Sequence, residues 1–337
     1  MDKGSLSERY LTRSVLKHIQ RQKQFGRTNG DEFESNLSNL TSGMVTGAVG
    51  NDYACIGDFV SADGCSEKPK LAWIKAMNNL ACSGGVCCSA RLLMLLPADE
   101  KETHIKDYMD VFNRLAGEYK VQIAGGHTEI TSNVKKAQFV VTAMGKKRRE
   151  FVGKKGLCEG LDILMTKDTG LYGTNVMLAT RQNELTKRFA ASYLKEAAVD
   201  ESLYSIVEEA RLLCDNVAKE DLFYLHDIST GGIYRALWQL GTWTAKGFLI
   251  DHYKISIRQE TIELAEFFNV NPYMINGTGS LLAIVRNGDE AMDMLRSHGI
   301  TASVIGQITE EKEKIIDCPG GSRRCMVPAS EDELYLL

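Results

Sequence analysis

Apolar residues recur along this chain in two rhythms. Between 102 and 118, Ile105, Tyr108, Met109, Phe112, Leu115 and Ala116 share one side of a 3.6-residue period, and Gly117 sits near its end. That spacing predicts an amphipathic helix. The short apolar runs "VQIA" (121–124) and "QFVVTAMG" (138–145) predict strands, and "LAWIKAMNNLACSG" (71–84) predicts an earlier helix. After residue 160 the rhythm repeats. "LDILMTKDTGLYGTNVMLA" reads as strand, glycine turn and helix, and a long helical region spans 175–220. Then come an apolar run at Leu222-Phe223-Tyr224, the turn "LHDISTGG" (225–232), and a helix with Ile233, Ala236, Leu237 and Leu240 on one face. A helix over 257–268, a strand over 280–286, a helix over 289–299 and a strand over 303–308 complete the series. Alternating strands and helices predict an α+β or α/β architecture.

Polar stretches punctuate this pattern. "GRTNGDEFESNLSNLTSG" (26–43) lacks a period and reads as a long loop. Before it, Leu6, Tyr10, Leu11, Val15 and Ile19 suggest an amphipathic helix with a basic outer face. The charged run "GKKRREFVGKKG" (145–156) marks a plausible boundary between a domain at 1–150 and another at 151–337. A length of 337 residues agrees with two cores, because single cores rarely keep growing at that size.

Composition narrows the function classes. A net charge of -4 argues against a protein that binds nucleic acid by neutralising backbone phosphates. The N-terminus has no continuous apolar stretch of the signal-peptide kind, and no run approaches the roughly 20 apolar residues of a membrane span. The expected compartment is the cytoplasm. Nine scattered cysteines without a C-x-x-C pair argue for reduced thiols, although Cys318 and Cys325 flank "PGGSRR" and could approach across a loop.

Four stretches share one grammar, an acid or histidine beside glycines at the end of an apolar run. They are "GAVGNDYACI" (47–56), "SADG" (61–64), "AGGHTEIT" (124–131) and "LHDISTGG". Glycines let backbone N–H groups approach phosphate oxygens, a helix N-terminus favours anions, and carboxylates suit Mg²⁺. Taken singly, each reads more readily as an ordinary turn, and a lone His127 or His226 as a structural histidine.

Those stretches, with "AMNNLACSGG", "NPYMINGTGSLLAIV" and "IGQITEE", stand in the order found in the aminoimidazole ribonucleotide synthase-related (PurM-like) superfamily. From about residue 44 onwards the chain resembles that group most closely in its members similar to the carbamoyl-dehydrating hydrogenase maturation factor. The resemblance implies an N-terminal α+β domain forming a barrel with a second subunit's sheet, hence a homodimer, and a C-terminal α/β domain with a mixed sheet. It implies ATP between the domains with Mg²⁺ on acids. Carried over, Asp52, Asp63, Asn79 and Asp227 are the metal-side residues, and Gly50, Asp52, Gly125, Gly126, His127, Gly231 and Gly232 line the nucleotide. His127 and Asp227 are the catalytic candidates, and Asn271 and Ser280 lie towards the substrate.

Departures accompany the resemblance. Asn79 stands where relatives usually carry aspartate, Thr230 where close relatives carry glutamate, and Asn51 at a position that is often acidic. Each removes a negative charge from a metal site. The chain given ends "SEDELYLL", without the terminal cysteine that the maturation factor modifies, and its first cysteine is Cys55. Two readings follow. One is an ATP-dependent enzyme that activates an amide or similar oxygen of an unidentified small-molecule or protein substrate. The other is a nucleotide-binding accessory protein with a degenerate metal site. Arg258, in "IRQETIELAEFF", reads as a structural residue.

Overall fold

The computed structural model describes residues 14–15, 52–328 and 331–337. The expected N-terminal helix, the 26–43 loop, Gly50 and Asn51 lie outside them, save for Ser14 and Val15. The described chain divides into two units, residues 52–150 and Phe151–Leu337.

The first unit is a five-stranded sheet backed by two helices. In chain order it contains β1 (Tyr53–Ile56), β2 (Phe59–Ser66), α1 (Pro69–Ala81), β3 (Gly85–Leu96), α2 (Glu102–Tyr119), β4 (Gln122–Ile130) and β5 (Gln138–Lys147). The strand order is β1-β2-β5-β3-β4, antiparallel except for the parallel β3–β4 pair. Parallel neighbours need a crossover, and α2 supplies it. Proline at the first turn of α1 costs no helical hydrogen bond, and Lys120 in the left-handed region ends α2. Alternate residues of the inner strands, among them Val60, Ala62, Leu92, Met94, Phe139 and Val141, are buried. Trp73, Phe112 and Phe139 join helices to sheet through ring contacts at 6.3 and 5.8 Å. Each fully buried side chain of this size contributes about 1.5–3 kcal/mol.

Asp63 and Gly64 do not form a turn. They lie inside β2, where Gly64 lets α1 approach: a Cβ there would stand 2.2 Å from the Ala72 carbonyl oxygen. "AGGHTEIT" is likewise largely strand, because β4 runs on through Gly125, Gly126 and His127 to Ile130. The register shifts between Ala90 and Arg91, so that Ile123 and then Gly125 face them. A Cβ on Gly126 would fall 1.9 Å from the Leu92 carbonyl oxygen. Gly64 and Gly126 serve close backbone approach, of a helix and of a strand respectively, which local sequence cannot distinguish from a turn.

The second unit contains β6 (Asp162–Thr166), α3 (Leu171–Ala179), α4 (Gln182–Arg188), α5 (Ala191–Ala197), α6 (Val207–Asn216), β7 (Leu222–Ile228) and α7 (Gly232–Thr244). It continues with β8 (Gly247–Asp251), α8 (Gln259–Phe268), β9 (Ser280–Val285), α9 (Gly288–Ser297), β10 (Ala302–Thr309), β11 (Lys314–Cys318) and β12 (Ser322–Cys325). Its seven strands form one mixed sheet in the order β12-β11-β8-β10-β6-β9-β7. The region expected as one helical stretch over 175–220 is four helices. Arg181, at φ 50°, breaks the first junction, and Phe189–Ala190 are extended at the second. One core joins Phe223, Tyr224, Ile233, Leu237, Leu240, Phe248 and Ile284. A second cluster, with Met177, Leu185, Leu264, Phe268 and Ile275, has Leu334 and Leu337 packed against it.

All nine cysteines are free. Cys318 and Cys325 stand at opposite ends of the β11–β12 hairpin, paired with Ser322 and Ile315 respectively. Among the described residues no helix is long and apolar enough to cross a membrane.

Candidate functional site

In the first unit the candidate acids stand on the sheet face opposite the helices. Helix α1 packs on the side of Ala62 and Gly64, so Asp63 between them points the other way and is exposed. Pairing carries a row across this face: Asp63 faces Thr142 on β5, Thr142 faces Arg91 on β3, and Arg91 faces Gly125 on β4. Tyr53 faces Ala62, so the register carried one residue further sets Asp52 opposite Asp63. Two exposed carboxylates therefore begin the row and an exposed guanidinium lies two strands beyond Asp63.

Local hydrogen bonds fix this arrangement. Thr142 Oγ1 donates to Asp63 Oδ1 at 2.6 Å, which orients the carboxylate. Asn79 Nδ2 donates to the Asp63 backbone carbonyl at 2.8 Å, tying α1 to β2 beneath it. Asn79 thus acts on the backbone of the acid residue. An amide is well suited to that task, whereas an ionised aspartate has no proton to donate. His127 is two residues further along β4, facing Leu93, and is exposed with Nε2 3.6 Å from Glu129 Oε2. Burial, and then the nearby Cys55, Cys82 and Asp52, push the Tyr53 phenol well above its ordinary pKa, so Tyr53 stays a neutral neighbour of the acids.

Arg91 and Thr142 are the residues that sequence reasoning missed. The available signal was one charged residue inside the apolar run "SARLLMLL", which places Arg91 on an outward strand position.

In the second unit the turn "LHDISTGG" joins β7 to α7 as strand, turn and helix. Gly231 and Gly232 take φ of 83° and 65°, the left-handed region that favours glycine. A Cβ on Gly232 would meet the Tyr273 and Ile275 carbonyl oxygens at 2.5 and 2.6 Å, so the following loop lies against the turn. His226 and Asp227 are both buried. His226 Nε2 pairs with Gln239 Oε1 at 2.9 Å, and its ring stacks 5.8 Å from that of Tyr224. These contacts hold His226 as part of the core.

The backbone donors at this helix start have partners within the unit. Gly232 N–H donates to the Ser229 carbonyl at 3.1 Å and Tyr234 N–H to the Tyr273 carbonyl at 3.3 Å. Gly231 N–H donates to Asp332 Oδ2 at 2.9 Å, a contact that spans 101 residues of sequence. The substrate-side candidates are similarly engaged. Ser280 Oγ donates to the Asp168 carbonyl at 2.6 Å. Asn271 Oδ1 accepts from Tyr273 N–H at 3.0 Å, and its own N–H donates to the Glu333 carboxylate. Arg258 donates to the Ala197 and Glu196 carbonyls at 2.9 Å each, fastening the start of α8 to the end of α5.

Residues 159–318 match the family described as AIR synthase related protein, C-terminal domain. No curated protein matches the sequence. Solved structures match over nearly the whole chain. A chain of the HypE–HypF complex aligns with TM-score 0.72 and 16% identity, covering 91% of this chain and 99% of that one. The hydrogenase maturation protein HypE in complex with ATP aligns with TM-score 0.69 and 15% identity, covering 99% and 98%. AaThiL complexed with AMPPCP and TMP aligns with TM-score 0.63 and 15% identity, covering 89% and 99%. At these identities the likeness is one of fold. The match over residues 159–318 is to an AIR synthase-related C-terminal domain, and the two mixed α+β units have the PurM-like fold.

Proposed function

We propose that this chain binds Mg-ATP and uses it to activate an amide or similar oxygen, on a small molecule or a protein, by phosphoryl transfer. The observation that carries the reading is the row Asp63–Thr142–Arg91 on one sheet face of a PurM-like fold, with the exposed Asp52 just before β1. Support comes from solved structures of the same fold that hold ATP and AMPPCP.

The donor set suits Mg²⁺, which prefers hard oxygen ligands and is usually shared between one or two carboxylates and the substrate's phosphates. Asp52 and Asp63 are the ligands assigned to it, and the Thr142 hydroxyl holds one Asp63 oxygen in place. A bound Mg²⁺ would neutralise phosphate charge. Arg91 would add a second cation for phosphate oxygens, and His127 would donate a hydrogen bond to a transferred group or exchange a proton with it. The protein's part in such chemistry is positioning and charge neutralisation. In the second unit Asp227 and the Gly231–Gly232 turn are the groups assigned to the nucleotide.

The exposed apolar side chains Ile56, Phe59 and Val86 support a homodimer. Ile56 pairs with Phe59, and both Phe59 and Val86 pair with Lys146, so they lie close together at one end of the open sheet. Pairing with a second copy would cover them.

One pair of contacts favours the second reading, an accessory protein that binds nucleotide without turnover. Asn79 is engaged with the Asp63 backbone, and Gly231 N–H is held by a carboxylate of the chain itself. Calorimetric titration with ATP in the presence and absence of Mg²⁺, followed by an ADP-release assay, separates the readings. Mg²⁺-dependent binding with ADP release supports the enzyme, and binding without release supports the accessory protein. Absence of binding removes both.

A further inference from the structure

The carboxylate on Gly231 belongs to a short segment, residues 331–337, that folds back over the turn. Asp332 is buried and acts at two places: Oδ1 accepts from Leu334 N–H at 3.0 Å, and Oδ2 accepts from Gly231 N–H at 2.9 Å. Glu333 joins the same segment to the neighbouring loop. Its N–H donates to the Met274 carbonyl at 3.2 Å, and its carboxylate accepts from Asn271 N–H. Leu334 and Leu337 rest on the apolar cluster of Met177, Leu185, Leu264 and Phe268. The segment therefore bridges the turn at Gly231 and the loop at Asn271.

Its chemistry at the turn is that of a bound anion. Helix α7 has no capping side chain of its own at Gly231. Of the N–H groups described at this helix start, those of Gly232 and Tyr234 go to backbone carbonyls, which are fixed by the fold. The Gly231 N–H goes to a side-chain carboxylate, the kind of partner that a phosphate oxygen replaces most directly. The segment's outer side meets solvent. Leu336 is 69% exposed and Tyr335 45%, while Leu334 and Leu337 are only half-buried.

We infer that residues 331–337 form a detachable acidic strap that competes with phosphate-bearing ligands for the Gly231 N–H, so that the chain restrains its own nucleotide binding. This rests on the reading above that the turn faces the nucleotide. The strap adds no bond and breaks none; it sets the fraction of molecules whose turn is open. An intramolecular carboxylate acts at an effective concentration of the order of millimolar, which is enough to compete with a freely diffusing ligand. Apparent affinity falls in proportion to the open fraction.

The test is calorimetric titration of Mg-ATP into the full chain, Asp332→Ala and a chain lacking residues 331–337, with thermal unfolding recorded for each. The expected result is binding about three- to tenfold tighter in Asp332→Ala, and at least as tight in the shortened chain. A synthetic peptide of residues 327–337, added to the shortened chain, then returns the affinity towards that of the full chain. Should the shortened chain not fold, Asp332→Ala and Asp332→Asn decide, with the alanine variant tighter than the asparagine one and both tighter than the full chain. Equal or weaker binding in a folded Asp332→Ala overturns the strap and leaves the nucleotide reading standing. Binding by none of the folded forms overturns the nucleotide reading, and the competition falls with it.

Discussion

The two units treat their charged residues in opposite ways. In the first, Asp52, Asp63, Arg91 and His127 stand exposed, and a Thr142 hydroxyl orients Asp63. In the second, several charged groups, among them Glu209, Asp227, Arg235 and Asp332, go inside. Lys167, for example, is largely covered, with its ammonium donating to the Leu203 and Ser205 carbonyls at 2.9 and 2.8 Å and paired with the buried Glu209. Burial costs a charge its hydration, so it is tolerated only where partners replace the lost water. An exposed acid pays no such cost and stays available to a cation. The difference teaches where to look for ligands: an exposed acid can meet a cation without giving up a buried partner, whereas a tightly paired inner group such as Lys167–Glu209 belongs to the frame.

The largest effect should come from breaking the buried arrangement. Lys167→Ala leaves Glu209 buried without its cation and two carbonyls without a donor, and is expected to cost about 3–5 kcal/mol in denaturant unfolding. A loss below about 1 kcal/mol would show that the second unit's charges are not frame elements at all.

Next comes the floor beneath the exposed acids. Gly64→Ala places a Cβ 2.2 Å from the Ala72 carbonyl oxygen, so α1 must shift, at a cost of about 1–3 kcal/mol. Because α1 also reaches Asp63 through Asn79, nucleotide affinity should fall in step with thermal stability in this variant.

The exposed acids themselves should behave in reverse. Asp63→Asn is expected to lower Mg²⁺-dependent ATP affinity by about tenfold or more, while unfolding free energy moves by no more than about 0.5 kcal/mol. Asp227→Asn reverses the emphasis, losing stability because the group is buried. Its binding measured beside its melting curve tests whether the second unit's turn contributes to the nucleotide; unchanged affinity in a folded Asp227→Asn would remove it.

The smallest effect marks the limit of the comparison. Arg211 reaches Glu208 and Asp215 at 2.6 and 2.9 Å on the outer face of α6. All three are solvated, so Arg211→Ala should cost under about 1 kcal/mol and leave binding untouched.

Legibility in the sequence follows the same division between local and distant causes. Helix α2 and the β7–turn–α7 unit were readable because their apolar positions recur at the helical period beside apolar runs and glycines. Strand β4 was half readable, because the sequence shows two glycines but not the β3 backbone that Gly126 allows to come near. Asp63–Gly64 looked like a turn for the same reason. The acids Asp52 and Asp63 were found by their glycine neighbours and by resemblance, whereas Arg91 and Thr142 joined them only through cross-strand register. Asp332 had no local signal to give, since its partner at Gly231 is 101 residues away.

The central claim, that the exposed acids of the first unit hold the metal of a bound nucleotide, meets its most direct test in one titration. ATP is titrated into the full chain and into Asp52→Asn/Asp63→Asn, each with Mg²⁺ and with EDTA. The account predicts binding by the full chain that needs Mg²⁺, and loss of that binding in a double variant that melts like the full chain. Nucleotide binding that is indifferent to Mg²⁺, or retained in full by the double variant, would contradict it.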